Sequence, residues 1–92
     1  VELGIALEEM GRALLCAPYF ASCVLAANAI LNAAPETQRK ELLPGIASGK
    51  TIATLAASEP DGRWDAEGVR LTATASDGCF RLDGVKSFVL DG

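Results

Sequence analysis

Between Ala13 and Ala34 the sequence runs for 22 residues without a charge, a length that in principle spans a bilayer. The make-up of that run argues against a span. Pro18 interrupts it, Ser22, Asn28 and Asn32 are polar, and the weakly apolar Ala recurs throughout. A helix buried on all sides explains it better. It would be entered at Pro18, whose missing N–H costs nothing in a first turn, and would run from Tyr19 to about Asn32. Asn28 inside it then needs a hydrogen-bond partner. A chain of 92 residues has too few other segments to surround such a helix. The covering layers are therefore expected outside this sequence or in another subunit. A start without Met and a stop on Asp91-Gly92, straight after a strand-like run, also read as a piece of something longer.

Helical spacing continues on both sides. Upstream, Leu3, Ala6, Leu7, Met10, Ala13 and Leu14 recur at intervals of three and four over Glu2 to Leu15. Glu2, Glu8, Glu9 and Arg12 fall mostly on the other face, with Glu8 and Arg12 spaced to support each other. Gly4 and Gly11 add a small stripe suited to tight helix packing. Downstream, Pro35-Glu36 opens a third helix with proline and acid in its first turn, continuing through Leu43. Pro44 is expected to break or kink it, Gly45 to Ser48 to add at most one turn, and Gly49 to cap it.

From Thr51 the period changes. Thr51 to Ala57 reads as a first strand with weak alternation, and Pro60 to Gly68 as a long polar loop carrying the only tryptophan, Trp64. Val69, Leu71, Ala73 and Ala75 alternate with Arg70, Thr72 and Thr74, the pattern of a half-buried strand. Asp77-Gly78 and Asp83-Gly84 are tight-turn pairs, so Cys79 to Leu82 and Val85 to Leu90 are expected as successive antiparallel strands. Four short strands make too small a sheet to leave open, and more are expected to follow. The candidate site lies where the two architectures meet, in Ala53 to Asp65. Ala53, Ala56 and Ala57 let another layer or a flat ligand approach the backbone, and Ser58 offers a hydroxyl before the turn at Pro60-Asp61-Gly62. Read plainly, the same residues are the end of a strand.

Half the residues are hydrophobic and 22% are charged, the composition of an ordinary folded chain. The net charge is −4, and the eight cations (Arg12, Arg39, Lys40, Lys50, Arg63, Arg70, Arg81, Lys86) are scattered with no aromatic platform between them, which argues against nucleic acid. Cys16, Cys23 and Cys79 are odd in number and lack C-x-x-C spacing, fitting reduced thiols in a cytoplasmic protein and small core residues. With no histidine in the chain, neither Ser-His or Cys-His catalysis nor His-ligated zinc can be assembled from it. No signal peptide is visible.

The order and wording of these segments resemble the acyl-CoA dehydrogenase family. The resemblance rests on L-E-E-M-G-R (Leu7 to Arg12), an apolar helix, and E-T-Q-R-K-E-L-L-P-G-I-A-S-G (Glu36 to Gly49). A-S-E-P-D-G (Ala57 to Gly62) stands where the family usually has T-E-P before a Gly, Ala and Ser-rich run. D-G-C-F-R-L-D-G-V-K-S-F (Asp77 to Phe88) resembles the family's hairpin with G-x-K and an aromatic. The resemblance implies an α+β fold. Residues 1–50 would be part of an N-terminal all-α domain, and residues 51–92 the first antiparallel strands of a β-barrel-like middle domain. It also implies oxidation of an acyl-CoA thioester to the 2-enoyl-CoA, with hydride transfer to N5 of FAD. The acceptor would be an electron-transfer flavoprotein or similar, and the assembly a homo- or hetero-oligomer. Leu55, Ala57 and Ser58 would lie beside the flavin, Ser58 replacing a threonine whose hydroxyl and N–H bond the ring. Phe88 and Leu90 would replace a ring-packing aromatic, commonly Trp, and a Thr or Ser near the reactive edge.

The sequence departs from that pattern in two places. Leu90 has no hydroxyl, and Trp64 falls where the family usually has a Ser near thioester and cofactor, which makes Trp64 the candidate substrate contact. The family's catalytic glutamate usually lies in the C-terminal domain. The base is therefore expected outside this chain, with neither Glu59 nor Asp65 promoted to the role, and the piece alone is expected to be inactive. Leu90 and Trp64 also favour an alternative, a dehydrogenase-like partner subunit contributing structure or half a flavin site to a mixed oligomer. A third reading, a cofactor-free interaction module, requires the chain to be complete.

Overall fold

The computed structural model describes residues 1–92. Helix α1 (Glu2–Arg12) carries an acid in its first turn and a base in its last, the arrangement that complements the helix dipole. Its apolar stripe is only half covered: Ala6, Leu7 and Met10 are partly buried and no residue is fully so. Arg12 pairs with Glu9 at 2.9 Å, one position off the expected partner Glu8. Gly4 and Gly11 face open space, so the small stripe packs against nothing in this chain.

The uncharged run folds as a helix, but not a uniform one. Its first half, Phe20–Ala26, is π-helical and leads directly into α2 (Ala27–Ala33). Wider winding changes which side chains share a face. Ala21, Ser22 and Ala26 are buried, while Phe20 and Leu31 remain close to half exposed, so burial on all sides is corrected to burial along one stripe. Asn28 finds its partner within the helix, donating from Nδ2 to the Val24 carbonyl at 2.6 Å. No helix is long and apolar enough to cross a membrane.

Helix α3 (Glu36–Ala47) passes through Pro44 instead of stopping there. Proline removes one N–H from the ladder, but the following turn is anchored because Ile46 is buried, and Ser48 N–H still donates to the Pro44 carbonyl at 3.1 Å. Gly49 (φ +72°) ends the helix in the left-handed conformation that favours glycine, its N–H donating to the Ile46 carbonyl at 3.0 Å. Ala21, Ser22, Ala26 and Ile46 make up the small buried centre of the helical half.

The second half is less regular than its pattern suggests. Strands β1 (Ala73–Ser76) and β2 (Cys79–Leu82) pair antiparallel, Ala73 opposite Leu82 and Ser76 opposite Cys79. Asp77 (φ +48°) and Gly78 (φ +78°) make the turn, both left-handed as a two-residue hairpin requires. Every residue of both strands is exposed, so the expected half-burial is not met within this chain. The other two expected strands are corrected: Thr51 to Ala57 and Val85 to Leu90 form no ladder. They nevertheless lie side by side, joined where Ser87 N–H donates to the Ser58 carbonyl at 2.9 Å and where the Thr54 hydroxyl donates to the Leu90 carbonyl. The three cysteines are free, but Cys16 and Cys79 are exposed and only Cys23 is partly covered, which corrects their reading as core residues. Three helical segments followed by an antiparallel hairpin make this an α+β chain.

Candidate functional site

The extended segment Thr51 to Ser58 leaves the helical half under tight control. Ser22, buried on the π-helical turn, uses one oxygen twice: Oγ donates to the Ala53 carbonyl at 2.8 Å and accepts from the Ala53 N–H at 3.1 Å. A side chain thus satisfies both backbone groups of a residue that has no strand partner. Thr51 N–H is held by the Gly45 carbonyl at 3.0 Å, an approach so close that a Cβ on Gly45 would collide with the Thr51 hydroxyl.

Past Ser58 the loop is folded by its own charges. Arg63 grips Asp65 with two parallel hydrogen bonds, Nε to Oδ1 at 3.1 Å and Nη2 to Oδ2 at 2.8 Å, and Nη2 reaches Glu67 at 2.9 Å. Asp65 Oδ1 also accepts the Gly68 N–H at 3.0 Å, capping the single 3-10 turn Ala66–Gly68. The Arg63 hydrogen bonds hold the Asp65 carboxyl below its usual range and raise the Arg63 guanidinium above its own. With its two neighbours so tied, Trp64 projects outward, 95% exposed.

These segments enclose one open cavity of about 430 Å³, lined by Phe20, Leu25, Leu55, Ala57, Ser58, Arg63, Trp64, Asp65, Val69, Phe88 and Leu90. All six residues given a role by the resemblance, Leu55, Ala57, Ser58, Trp64, Phe88 and Leu90, are brought together on it, whereas Ala53 and Ala56, the other small residues of the candidate stretch, do not line it. The volume falls within the range of small-molecule and cofactor sites, and the wall is of their usual kind, apolar with few polar groups. Neither the Ser58 hydroxyl nor its N–H has a partner within the chain, so two donors remain unused beside the cavity.

Phe88 carries the site's one backbone anomaly. At φ +55° it adopts the left-handed conformation, which costs a bulky side chain about 1–2 kcal/mol. This explains why Val85 to Leu90 fails as a strand: the chain turns at the residue that lies against the cavity, and the ladder cannot continue through it. The ring is 82% exposed.

Behind this wall is a polar node that the sequence reading did not identify. Glu59 Oε1 accepts from the Arg70 N–H at 3.0 Å, the Leu71 N–H at 2.8 Å and Lys86 Nζ at 2.8 Å. Lys86 Nζ also donates to the Ala57 carbonyl at 3.1 Å. Both side chains are largely covered, and the Lys86 hydrogen bond, aided by the Leu71 N–H, holds the Glu59 carboxyl below its usual range. Phe20, Leu25 and Val69 were missed as well. The first two lie in an apolar helix where nothing local marks one residue as site-facing, and Val69 opens a strand pattern of which only the later part, in β1, forms a ladder. No group of three or more Cys, Asp or Glu is placed to hold a metal ion.

Comparison with known proteins agrees with the resemblance. A family model described as the acyl-CoA dehydrogenase N-terminal domain matches residues 1–50. A mitochondrial isovaleryl-CoA dehydrogenase of Arabidopsis thaliana is 32% identical over 90 residues, covering 96% of this chain and 22% of that protein. An L-prolyl-[peptidyl-carrier protein] dehydrogenase of Pseudomonas fluorescens is 31% identical over 86 residues, covering 92% and 22%. An acyl-CoA dehydrogenase of Bacillus subtilis is 35% identical over 65 residues, covering 71% and 17%. No solved structure matches. The chain spans about a fifth of the length of the curated relatives it matches. On its matched helices and on relatives aligned along nearly all of its length, this chain belongs to the acyl-CoA dehydrogenase family.

Proposed function

We propose that this chain supplies one wall of the flavin site in an FAD-dependent acyl-CoA dehydrogenase. Residues 1–50 would belong to an N-terminal helical domain and residues 51–92 would begin a middle β-domain. The observation that supports this reading best is the convergence of Leu55, Ala57, Ser58, Phe88 and Leu90 on one cavity with unused donors at Ser58. The residues present fit a planar, largely apolar ring. Leu55, Ala57 and Leu90 offer aliphatic surface, Phe88 an aromatic face, and Ser58 a hydroxyl and an N–H for an acceptor on the ring edge.

FAD, when bound, supplies at N5 the two-electron acceptor for α,β-dehydrogenation of a thioester. This chain's residues bind and orient it and keep water from one face. Trp64, standing out at the cavity mouth, is placed to meet the thioester end of a substrate. The proton-abstracting carboxylate is not among these residues: Glu59 and Asp65 are each committed to a cation and to backbone N–H groups. In the full-length protein the electrons would pass to an electron-transfer flavoprotein or similar acceptor, within an oligomer.

The deciding experiment is the visible absorption spectrum of the full-length protein, purified with any natural partner chain, before and after anaerobic addition of thioesters. Since one relative is named for a prolyl group on a peptidyl-carrier protein, the panel should include carrier-protein thioesters beside acyl-CoAs. A flavin band bleached by one of them supports the enzyme and its substrate class. A second reading, a dehydrogenase-like partner subunit with half a flavin site, is favoured by Leu90, which brings no hydroxyl to the cavity, and by the bulk of Trp64 at its mouth. A colourless protein that cannot be reconstituted with FAD would select it.

A further inference from the structure

Two of the walls of the cavity are separate stretches of chain, 55–58 and 88–90, that share no ladder. Something else must fix their spacing. A backbone held in a sparsely populated conformation, as at Phe88, persists only where its surroundings over-determine it. The two residues before Phe88 meet that requirement. Lys86 Nζ is bonded to Glu59 and to the Ala57 carbonyl, and Ser87 N–H is bonded to the Ser58 carbonyl. Residues 57, 58 and 59 are thus each tied to residue 86 or 87. Glu59 in turn is tied to the Arg70 and Leu71 N–H groups, so a third segment is joined to the other two at one carboxylate oxygen. Neither Glu59 nor Lys86 lines the cavity.

We propose that Glu59 and Lys86 are positioning residues, a latch behind the cavity wall that sets Ser58 and the left-handed Phe88 at the spacing the cofactor ring meets. The proposal rests on the cofactor reading above. It differs from an ordinary ion pair in one respect: the Glu59 oxygen is a shared acceptor for two backbone N–H groups, a role that a cation at position 59 cannot take.

The test uses the full-length protein and two readouts, the apparent affinity and visible circular dichroism of added FAD, and hydrogen exchange of peptides containing Ser87 and Arg70-Leu71. Lys86→Met is expected to weaken FAD about tenfold, the scale of one lost charge-assisted hydrogen bond, to alter the flavin dichroism, and to speed exchange at Ser87. Exchanging the charges, Glu59→Lys with Lys86→Glu, is expected to restore neither. Unchanged affinity and unchanged Ser87 exchange in Lys86→Met would overturn the latch, as would full recovery in the exchanged pair. If Lys86→Met does not fold, Glu59→Gln, which keeps an acceptor oxygen without its charge, is read in its place. Faster exchange at Ser87 supports the latch, and wild-type exchange overturns it. Should the wild-type protein bind no FAD, the cofactor reading fails on that result alone, while exchange at Ser87 still decides the latch.

Discussion

At the scale of single residues, the cavity depends on a few atoms that the chain leaves unengaged. Ser58 is the clearest, since its hydroxyl and N–H lie beside the cavity without an internal partner while its carbonyl is occupied by Ser87. Ser58→Ala in the full-length protein removes only the hydroxyl. It should weaken FAD retention by roughly three- to tenfold, the worth of one neutral hydrogen bond, read as flavin content after dialysis; undiminished content would show that the hydroxyl does not meet the ring. Phe88 tests a different kind of contact. Phe88→Ala takes away an aromatic face but leaves a side chain that still dislikes φ +55°, so the flavin band should shift as its neighbour is lost, and an unaltered band would place the ring away from the cofactor. Phe88→Gly, which removes the ring and the backbone cost together, should shift the band equally while raising thermal stability relative to Phe88→Ala.

At the scale of elements, the hinge between helical and extended halves is the contact of Ser22 with Ala53. Ser22→Ala leaves the Ala53 N–H and carbonyl without their partner against a covered helix face, a loss of about 1–3 kcal/mol, measurable as a lower denaturant midpoint of the full-length protein. An unchanged midpoint would mean that water replaces the hydroxyl without cost. This hinge also marks the limit of what the sequence discloses. The helices were legible because their signals are local: three-and-four spacing for α1, proline and acid opening α3, Gly49 closing it. The Asp77-Gly78 turn was legible for the same reason, since only a few residues accept two left-handed conformations in succession. The π-helical winding at Phe20–Ala26 has no such signal, and with it went the reason Ser22 is buried. The last strand failed because Val85 to Leu90 has strand-like composition but spends Phe88 on a turn toward the cavity. The cofactor and substrate roles of the six candidate-site residues were reached through resemblance to a family. Alternation and turn residues alone pointed no further than Ala53 to Asp65, and they gave no hint of Glu59 and Lys86, whose meeting spans 27 positions.

At the scale of the whole molecule, the extended half is held by polar contacts, ionised carboxylates among them, and little by burial. Only Gly68 among residues 51–92 is buried; Glu59 with Lys86 joins separate segments beside the cavity, while Arg63 with Asp65 and Glu67 folds its own loop. Glu59 faces Lys86 and the Arg70 and Leu71 N–H groups, and Arg70 itself approaches Asp61 at 3.8 Å. Both Glu59 and Asp65 titrate lower in the folded chain than a free carboxyl would, chiefly through their hydrogen bonds to Lys86 and Arg63. The sign of the linkage follows. A carboxyl with a depressed folded value binds fewer protons when folded than when unfolded, so its stabilisation is fully present above the ordinary carboxylate range and is lost as pH falls through the folded value. Because the chain contains no histidine, no side chain of it has an unperturbed value between about pH 5 and 8. Replacing Glu59 by Gln should lower the urea midpoint of the full-length protein between about pH 8 and 5, with the gap between wild type and variant closing only below about pH 4. A gap that stayed constant through about pH 4, or widened as pH fell, would mean that Glu59 keeps an ordinary or raised value in the folded protein. The carboxylate could not then be the shared acceptor that joins residues 59, 70, 71 and 86, and the cavity would have to be held together by the remaining contacts at Ser22, Thr54 and Ser87.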